Sequence, residues 1–361
     1  TPPPPPAHTS TSSSHRTHHY LSSNLGSSPI MPTNLSTLLL ALVFGTSYYH
    51  DAPSAVSADS PSPDNDGDGN NSDDGSWKKL LEEEDEIGHA QSLIVDLPPL
   101  ASTVSDYQTI QIYRSEHYGR VFVLDGCLQL TERDAPHYNE MLAHVPVMEY
   151  LARTVASSSD DDEADNGSDL RVLVVGGGDG YVVSELLKYP QVGSIDHVEL
   201  DEGVINVARE HLPWAEAWDD ERVNLIVADG AAFVKQQAAE GRSYHVVIQD
   251  ASDPYWLESD GTVTTLPSSV LYDAPHLGRL HDLLRPAGGV LMMQAETYNI
   301  PSNLASIGGW RTLLRDVGFG RPRYGSISIG TYSTGQIGFL VAHARDDNAV
   351  EDGEVCVESD G

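Results

Sequence analysis

The residues of this chain best placed to do chemistry are carboxylates, and their neighbours narrow what that chemistry is. Asp250-Ala251-Ser252-Asp253-Pro254 sets two acids on one tight turn. Together they can hold an alkylammonium group and take up its proton. An amine with a free pKa of about 10 is protonated at neutral pH and cannot attack, so a nearby carboxylate must accept or relay that proton. Asp179 lies inside a second turn, Gly176-Gly177-Gly178-Asp179-Gly180. There it would repel a pyrophosphate and welcome a cation, which favours a sulfonium nucleoside of the S-adenosylmethionine type over NAD. Glu199 follows the glycine turn by about 20 residues, where a carboxylate can grip a ribose diol. Asp229, followed by Gly230, can accept from the exocyclic amine of an adenine, although an acid at this position is also suited to capping a helix.

These acids need a frame that gathers them on one rim. Apolar runs predict strands over residues 172–175, 195–200, 223–227, 246–249, 290–294 and 335–342. Amphipathic segments predict helices between them at 182–187, 204–211, 231–239, 275–284 and 303–317. That alternation predicts an α/β protein with a doubly wound parallel sheet, whose ligands collect at the carboxyl ends of the strands. Gly176 and Gly178 would let the backbone turn sharply and let a ligand approach it. Ahead of this unit, short alternating runs over 92–95, 109–113 and 121–124, with Asp125-Gly126 as a turn, predict a small antiparallel β domain. Residues 137–153 read as a helix with Tyr138, Met141, Leu142, Val145 and Met148 on one face.

The 361 residues carry a net charge of −34. Such acidity argues against nucleic acid as a partner, because phosphates would be repelled, and suits a cationic small substrate. Much of the acid lies in segments of low complexity, at 59–86, 160–169 and 346–360, which read as solvated linkers and tails. Cys127 and Cys356 form no disulfide framework, and no Cys/His spacing predicts a metal site. The apolar run 38–44 is too short to span a bilayer. The organisation read from these features is a low-complexity presequence over 1–58 and an acidic linker over 59–75. A β domain with its connecting helix follows over 76–156, then an acidic insertion over 157–169. The catalytic domain covers 170–344 and an acidic tail 345–361. Within the presequence, 31–58 has the pattern of a cleaved signal peptide, with an organellar presequence as the alternative.

Set together, the motifs resemble those of the polyamine aminopropyltransferases. They are Gly88-His89-Ala90-Gln91-Ser92-Leu93, Tyr107-Gln108, Tyr118-Gly119-Arg120-Val121, Leu124-Asp125-Gly126 with Gln129, and Thr131-Glu132-Arg133-Asp134. Tyr138-Asn139-Glu140-Met141, Gly176–Gly180, Glu199-Leu200-Asp201, Asp229-Gly230, Asp250–Pro254, Gln294-Ala295-Glu296 and Thr331-Tyr332 continue the pattern. The resemblance implies a Rossmann-like, methyltransferase-type catalytic domain, a homodimer and a cytoplasmic location. It also implies transfer of an aminopropyl group from decarboxylated S-adenosylmethionine to a diamine, with methylthioadenosine leaving and no metal taking part. By position it implies Asp250 as catalytic base and Asp179 beside the aminopropyl amine. Glu199 would bind the ribose and Asp229 the adenine, with Gln108 and Gln129 lining the nucleoside site. Tyr138, Asp253, Tyr332, Trp77 and Glu296 would shape the amine channel.

The chain departs from the family pattern in three places: Ala135-Pro136-His137, a longer loop from Tyr255 to Tyr272, and Ile329–Thr334 without prolines around the tyrosine. All three bear on the amine acceptor more than on the nucleoside. Putrescine is the expected acceptor. The alternatives are a spermine or thermospermine synthase, an N-methyltransferase using intact S-adenosylmethionine, and a non-catalytic polyamine-binding homologue.

Overall fold

The computed structural model describes residues 77–84, 90–157, 169–257 and 263–344. Strands β1 (Trp77–Glu84) and β2 (Ala90–Leu97) form an antiparallel pair. A four-stranded antiparallel meander follows: β3 (Ala101–Val104), β4 (Thr109–Ser115), β5 (Gly119–Leu124) and β6 (Cys127–Thr131). Asp125 and Gly126 both take positive φ, 49° and 86°, between the paired residues Leu124 and Cys127. Two left-handed residues in a two-residue loop match the twist of the flanking strands, as an Asp-Gly pair predicts. Helix α1 (Ala135–Ser157) then leads to the large sheet.

That sheet has seven strands in the order β14-β15-β13-β10-β7-β8-β9. Strands β7 (Leu170–Gly176), β8 (Val192–Glu199), β9 (Val223–Val227), β10 (Val246–Asp250) and β13 (Val290–Ala295) run parallel. Helices α2 (Tyr181–Leu186), α3 (Glu202–His211), α4 (Gly230–Ala239), α5 (Ala274–Leu284) and α6 (Pro301–Asp316) connect and cover them. The edge differs from expectation. The last strand, β15 (Gln336–Ala344), runs antiparallel to β13 and pairs with an additional strand, β14 (Phe319–Ser328). The stretch 319–328 lacks an apolar alternation, and Arg321 takes φ 43° where the pairing shifts register. The connection from β14 to β15 is too short for a crossover, so the two strands must be antiparallel.

Val172 and Val174 of β7 point into one core layer, with Ile110 and Ile112 of β4 and Leu142 of α1. Leu173 and Val175 point into the other, with Leu277 and Leu280 of α5. A strand buried on both faces reads as a continuous apolar run. Each such buried side chain contributes about 1.5–3 kcal/mol. Strand order reverses between β7 and β10: the chain moves outward through β8 and β9, then returns to the far side of β7. At such a switch point the connecting loops part and leave a crevice. Asp250 pairs with Gly176 there.

Candidate active site

The glycine turn is shaped by the acids around it. Gly176 and Gly177 take φ of 80° and 69°, which only glycine adopts freely. A Cβ on Gly176 would lie 2.0 Å from the Asp250 carbonyl, one on Gly177 3.0 Å from Asp250 Oδ2, and one on Gly178 2.7 Å from Glu199 Oε2. The Gly177 amide donates to the Asp250 carbonyl at 2.9 Å. The missing side chains therefore make room first for the protein's own carboxylates. Gly230 serves packing, since a Cβ there would lie 2.6 Å from Val175 Cγ1.

Asp179, Glu199 and Asp250 surround this turn. Burial, with the charge of Asp250, pushes the Asp179 carboxyl up to about 7. Burial does the same to Glu199, also to about 7, and raises Asp250 to about 6 against the hydrogen bond from Tyr138. Their hydrogen-bond donors are the Tyr181 amide to Asp179 at 2.8 Å, the Asp201 amide to Glu199 at 2.9 Å, and the Tyr138 hydroxyl to Asp250 at 2.5 Å. Among the described residues no Lys or Arg hydrogen-bonds to the three. Carboxyls crowded without a cation keep their protons to higher pH than free ones, and an arriving cation favours the ionised form.

Asp201, buried at 2 % exposure, ties the meander to this rim. It caps α3 by accepting from the Gly203 amide at 2.9 Å, and it accepts from Ser105 Oγ at 2.7 Å and Gln108 Nε2 at 2.9 Å. Gln108 thus reaches the Glu199 side of the rim through Asp201. Gln129 does not join it: the residue is exposed and donates to Cys127 O of its own hairpin at 3.2 Å. Asp229 caps α4, accepting from the Ala232 amide at 2.9 Å. Exposed apolar side chains of Leu200 and Val227 stand at the same strand ends.

The far side of Asp250 is lined from several elements. Tyr138 of α1 packs on Phe339, ring centroids 5.4 Å apart. Burial and the charge of Asp250 hold its phenol well above the ordinary value, with Tyr332 adding to the effect. Asp253 is hydrogen-bonded by Gln294 at 3.3 Å and by Glu296. Glu296 in turn accepts from Asn303 Nδ2 at 3.1 Å. The loop carrying Tyr332 is pinned by Thr331, whose hydroxyl bonds the buried Asp134. Trp77 opens β1 opposite Leu97. Strands β11 (Tyr255–Leu257) and β12 (Val263–Thr265) form a hairpin after Pro254, which Tyr255 ties to Ser306 of α6. Sequence reasoning missed Tyr272, buried among Asp253, Glu296 and Asp250, its hydroxyl donating to Ala251 O at 3.2 Å. It also missed His197, Trp214 and Trp218 behind the glycine turn. The tryptophans' spacing of four was a signal that could have been read.

Acids without a Lys or Arg hydrogen-bond partner among the described residues thus stand at the switch point of a Rossmann-like sheet, the fold of a nucleoside-handling enzyme, and the comparisons give the family. Residues 135–352 match the spermine/spermidine synthase domain and residues 99–132 the spermidine synthase tetramerisation domain. The chain belongs to the spermine/spermidine synthase family. It is 37% identical to spermidine synthase 2 of Arabidopsis thaliana over 259 residues, 72% of this chain and 67% of that protein. It is 33% identical to putrescine N-methyltransferase 2 of Nicotiana attenuata over 240 residues, 66% of this chain and 56% of that protein. The solved spermidine synthase of Thermotoga maritima superposes with a TM-score of 0.59 at 26% identity, covering 74% of this chain and 80% of the other. A spermidine synthase in complex with the transition-state analogue AdoDATO superposes equally well, at 27% identity over 74% of this chain and 81% of the other. The meander β3–β6 is thus the part of the chain that matches the tetramerisation domain. Among the described residues no cluster of metal-ligating side chains occurs, and no helix is long and apolar enough to cross a membrane.

Proposed function

We propose that this protein transfers the aminopropyl group of decarboxylated S-adenosylmethionine to putrescine, giving spermidine and methylthioadenosine. The observation that carries this reading is the trio Asp179, Glu199 and Asp250, pushed up to about 7, 7 and 6 with no cationic hydrogen-bond partner among the described residues. Such a site lacks positive charge, and the donor brings two charges, a sulfonium and an ammonium. In this reading Asp179 takes the ammonium. The carboxylate of intact S-adenosylmethionine would meet Asp179 head-on, which disfavours the N-methyltransferase alternative. Glu199 takes the ribose diol. Asp229, Gly230, Leu200 and Val227 form the adenine end, and Gln108 supports Glu199 through Asp201. Gln129 belongs to the nucleoside site only if its hairpin turns inward on binding. The acceptor amine lies between Asp250 and the group formed by Tyr138, Asp253, Glu296 and Tyr332, to which the family resemblance adds Trp77.

The step balances within the two substrates. The amine nitrogen attacks the methylene carbon bonded to sulfur. The new N–C bond forms as the C–S bond breaks, and its electron pair returns to sulfur as a neutral thioether. The nitrogen sheds one proton to Asp250, whose value near 6 lets it ionise at neutral pH and still accept. Tyr138 orients the receiving carboxylate. Holding the reactants in line supplies several kcal/mol of the acceleration. We take a homodimer joined through β3–β6 as the smallest assembly. Purified protein incubated with putrescine and either decarboxylated or intact S-adenosylmethionine tests the reading by product mass. Spermidine is expected from the decarboxylated donor; N-methylputrescine from the intact donor would overturn the proposal.

A further inference from the structure

Glycines leave a turn free to pivot, and side chains join the Gly177 and Gly180 amide bonds in holding this one in shape. Two indoles reach it. Trp214 Nε1 donates to the Asp179 carbonyl at 2.9 Å, and its ring lies 4.5 Å from that of Tyr181, whose amide holds the Asp179 carboxylate. Four residues on, in a short 3-10 helix (Ala215–Asp219), Trp218 Nε1 donates to His197 Nδ1 at 2.9 Å. His197 Nε2 lies 2.8 Å from the Gly176 carbonyl. An indole can only donate, so Nδ1 must accept, and the imidazole proton sits on Nε2, donated to Gly176. Burial keeps His197 neutral, its pKa lowered to about 4. The Trp218 ring stacks on His197 at 5.8 Å, under the Arg209 guanidinium at 5.1 Å. A Cβ on Gly180 would lie 2.8 Å from Trp218, so this ring also closes the end of the turn. The bracket thus grips both ends, Gly176 O and Asp179 O. The residues between them meet Asp250 and Glu199.

We propose that His197 and Trp218 are positioning residues of the donor site, holding the Gly176 carbonyl so that the glycine turn sets Asp179, Glu199 and Asp250 around the donor. This rests on the reading that the turn seats the donor. Removing the His197 N–H would leave a carbonyl without its partner, and the strand end would shift to find another. The test uses the full chain with His197→Leu, Trp218→Phe, which keeps a ring but loses the N–H, and His197→Gln, which keeps a donor. Amide hydrogen exchange at Gly177, calorimetric affinity for methylthioadenosine, and KM and kcat with decarboxylated S-adenosylmethionine and putrescine are measured. Leu and Phe are expected to speed Gly177 exchange, weaken methylthioadenosine and raise the donor KM, each about tenfold, with the putrescine KM unchanged. Gln restores most of each. A lower melting temperature with exchange and affinity unchanged would reduce the pair to packing and overturn the proposal, as would failure of Gln to restore them. If the wild-type chain binds no methylthioadenosine, the donor reading falls, and the exchange result alone decides whether the relay holds the turn.

Discussion

The two walls of the proposed site are built differently. The donor wall comes from two consecutive βα units, the stretch Gly176–Asp201, with Asp229 added from the next. Its contacts are backbone amides, glycines without side chains, and acids a few residues apart. The acceptor wall is assembled from α1, the end of β10, the residues after β13 and the loop before β15. Tyr138 and Asp250, its closest pair, are 112 residues apart in the chain. Every departure from the family pattern falls on this second wall: the residues opening α1, the hairpin β11–β12 and the loop 329–335. A wall made of local turns leaves little room for a larger side chain, since a Cβ on Gly176 or Gly178 would meet an acid or its carbonyl. A wall made of loops on a rigid sheet can vary its acceptor while the base stays in place.

Substitutions should separate the walls by which constant they move. The largest effect is expected from Asp250→Asn, which removes the base. Turnover should fall by about 10²–10⁴ while methylthioadenosine affinity measured by calorimetry persists; normal turnover would break the assignment. Acid pH should act on the donor wall. Asp179 and Glu199 hold protons up to about 7, so donor affinity should drop about tenfold per pH unit below 7 for each carboxyl that must ionise. The empty protein carries the opposite sign. These acids bind protons more tightly folded than unfolded, so their contribution to stability is complete below the ordinary carboxylate range and is lost as pH rises through about 7. A melting series with and without decarboxylated S-adenosylmethionine should show stabilisation by the ligand growing with pH. Asp179→Asn should flatten that slope.

Glu199→Gln is expected to weaken the donor about ten- to a hundredfold with the putrescine KM little changed. Unchanged donor affinity would remove Glu199 from the ribose. The smallest effect belongs to Asp229. Asp229→Ala should lower stability by about 1 kcal/mol through loss of the α4 cap, whereas Asp229→Asn keeps the cap. If Asn also leaves donor affinity intact, Asp229 is a helix cap and nothing more.

Much of this was legible beforehand because it is local. The glycine turn, the acids at strand ends, the Asp125-Gly126 hairpin and the alternation of strands and helices follow from backbone permission and apolar period. Strand β14 was not legible, since its Gly/Arg/Pro/Ser composition carries no alternation and its pairing comes from β15 beside it. Nor could Tyr272 or His197 be found, because burial next to a particular carboxylate or carbonyl leaves no mark on neighbouring residues. Gln108 and Gln129 read alike, yet one meets Asp201 and the other bonds its own hairpin.

By itself the chain determined that acids would crown a parallel sheet beside a turn of glycines, since strand period, turn chemistry and charge act over a few residues. Tertiary structure alone decided which acids share one desolvated space, which tyrosine meets Asp250 and which indoles reach the glycine turn and its histidine. Those depend on strand order and on burial, and burial sets how tightly each carboxyl keeps its proton.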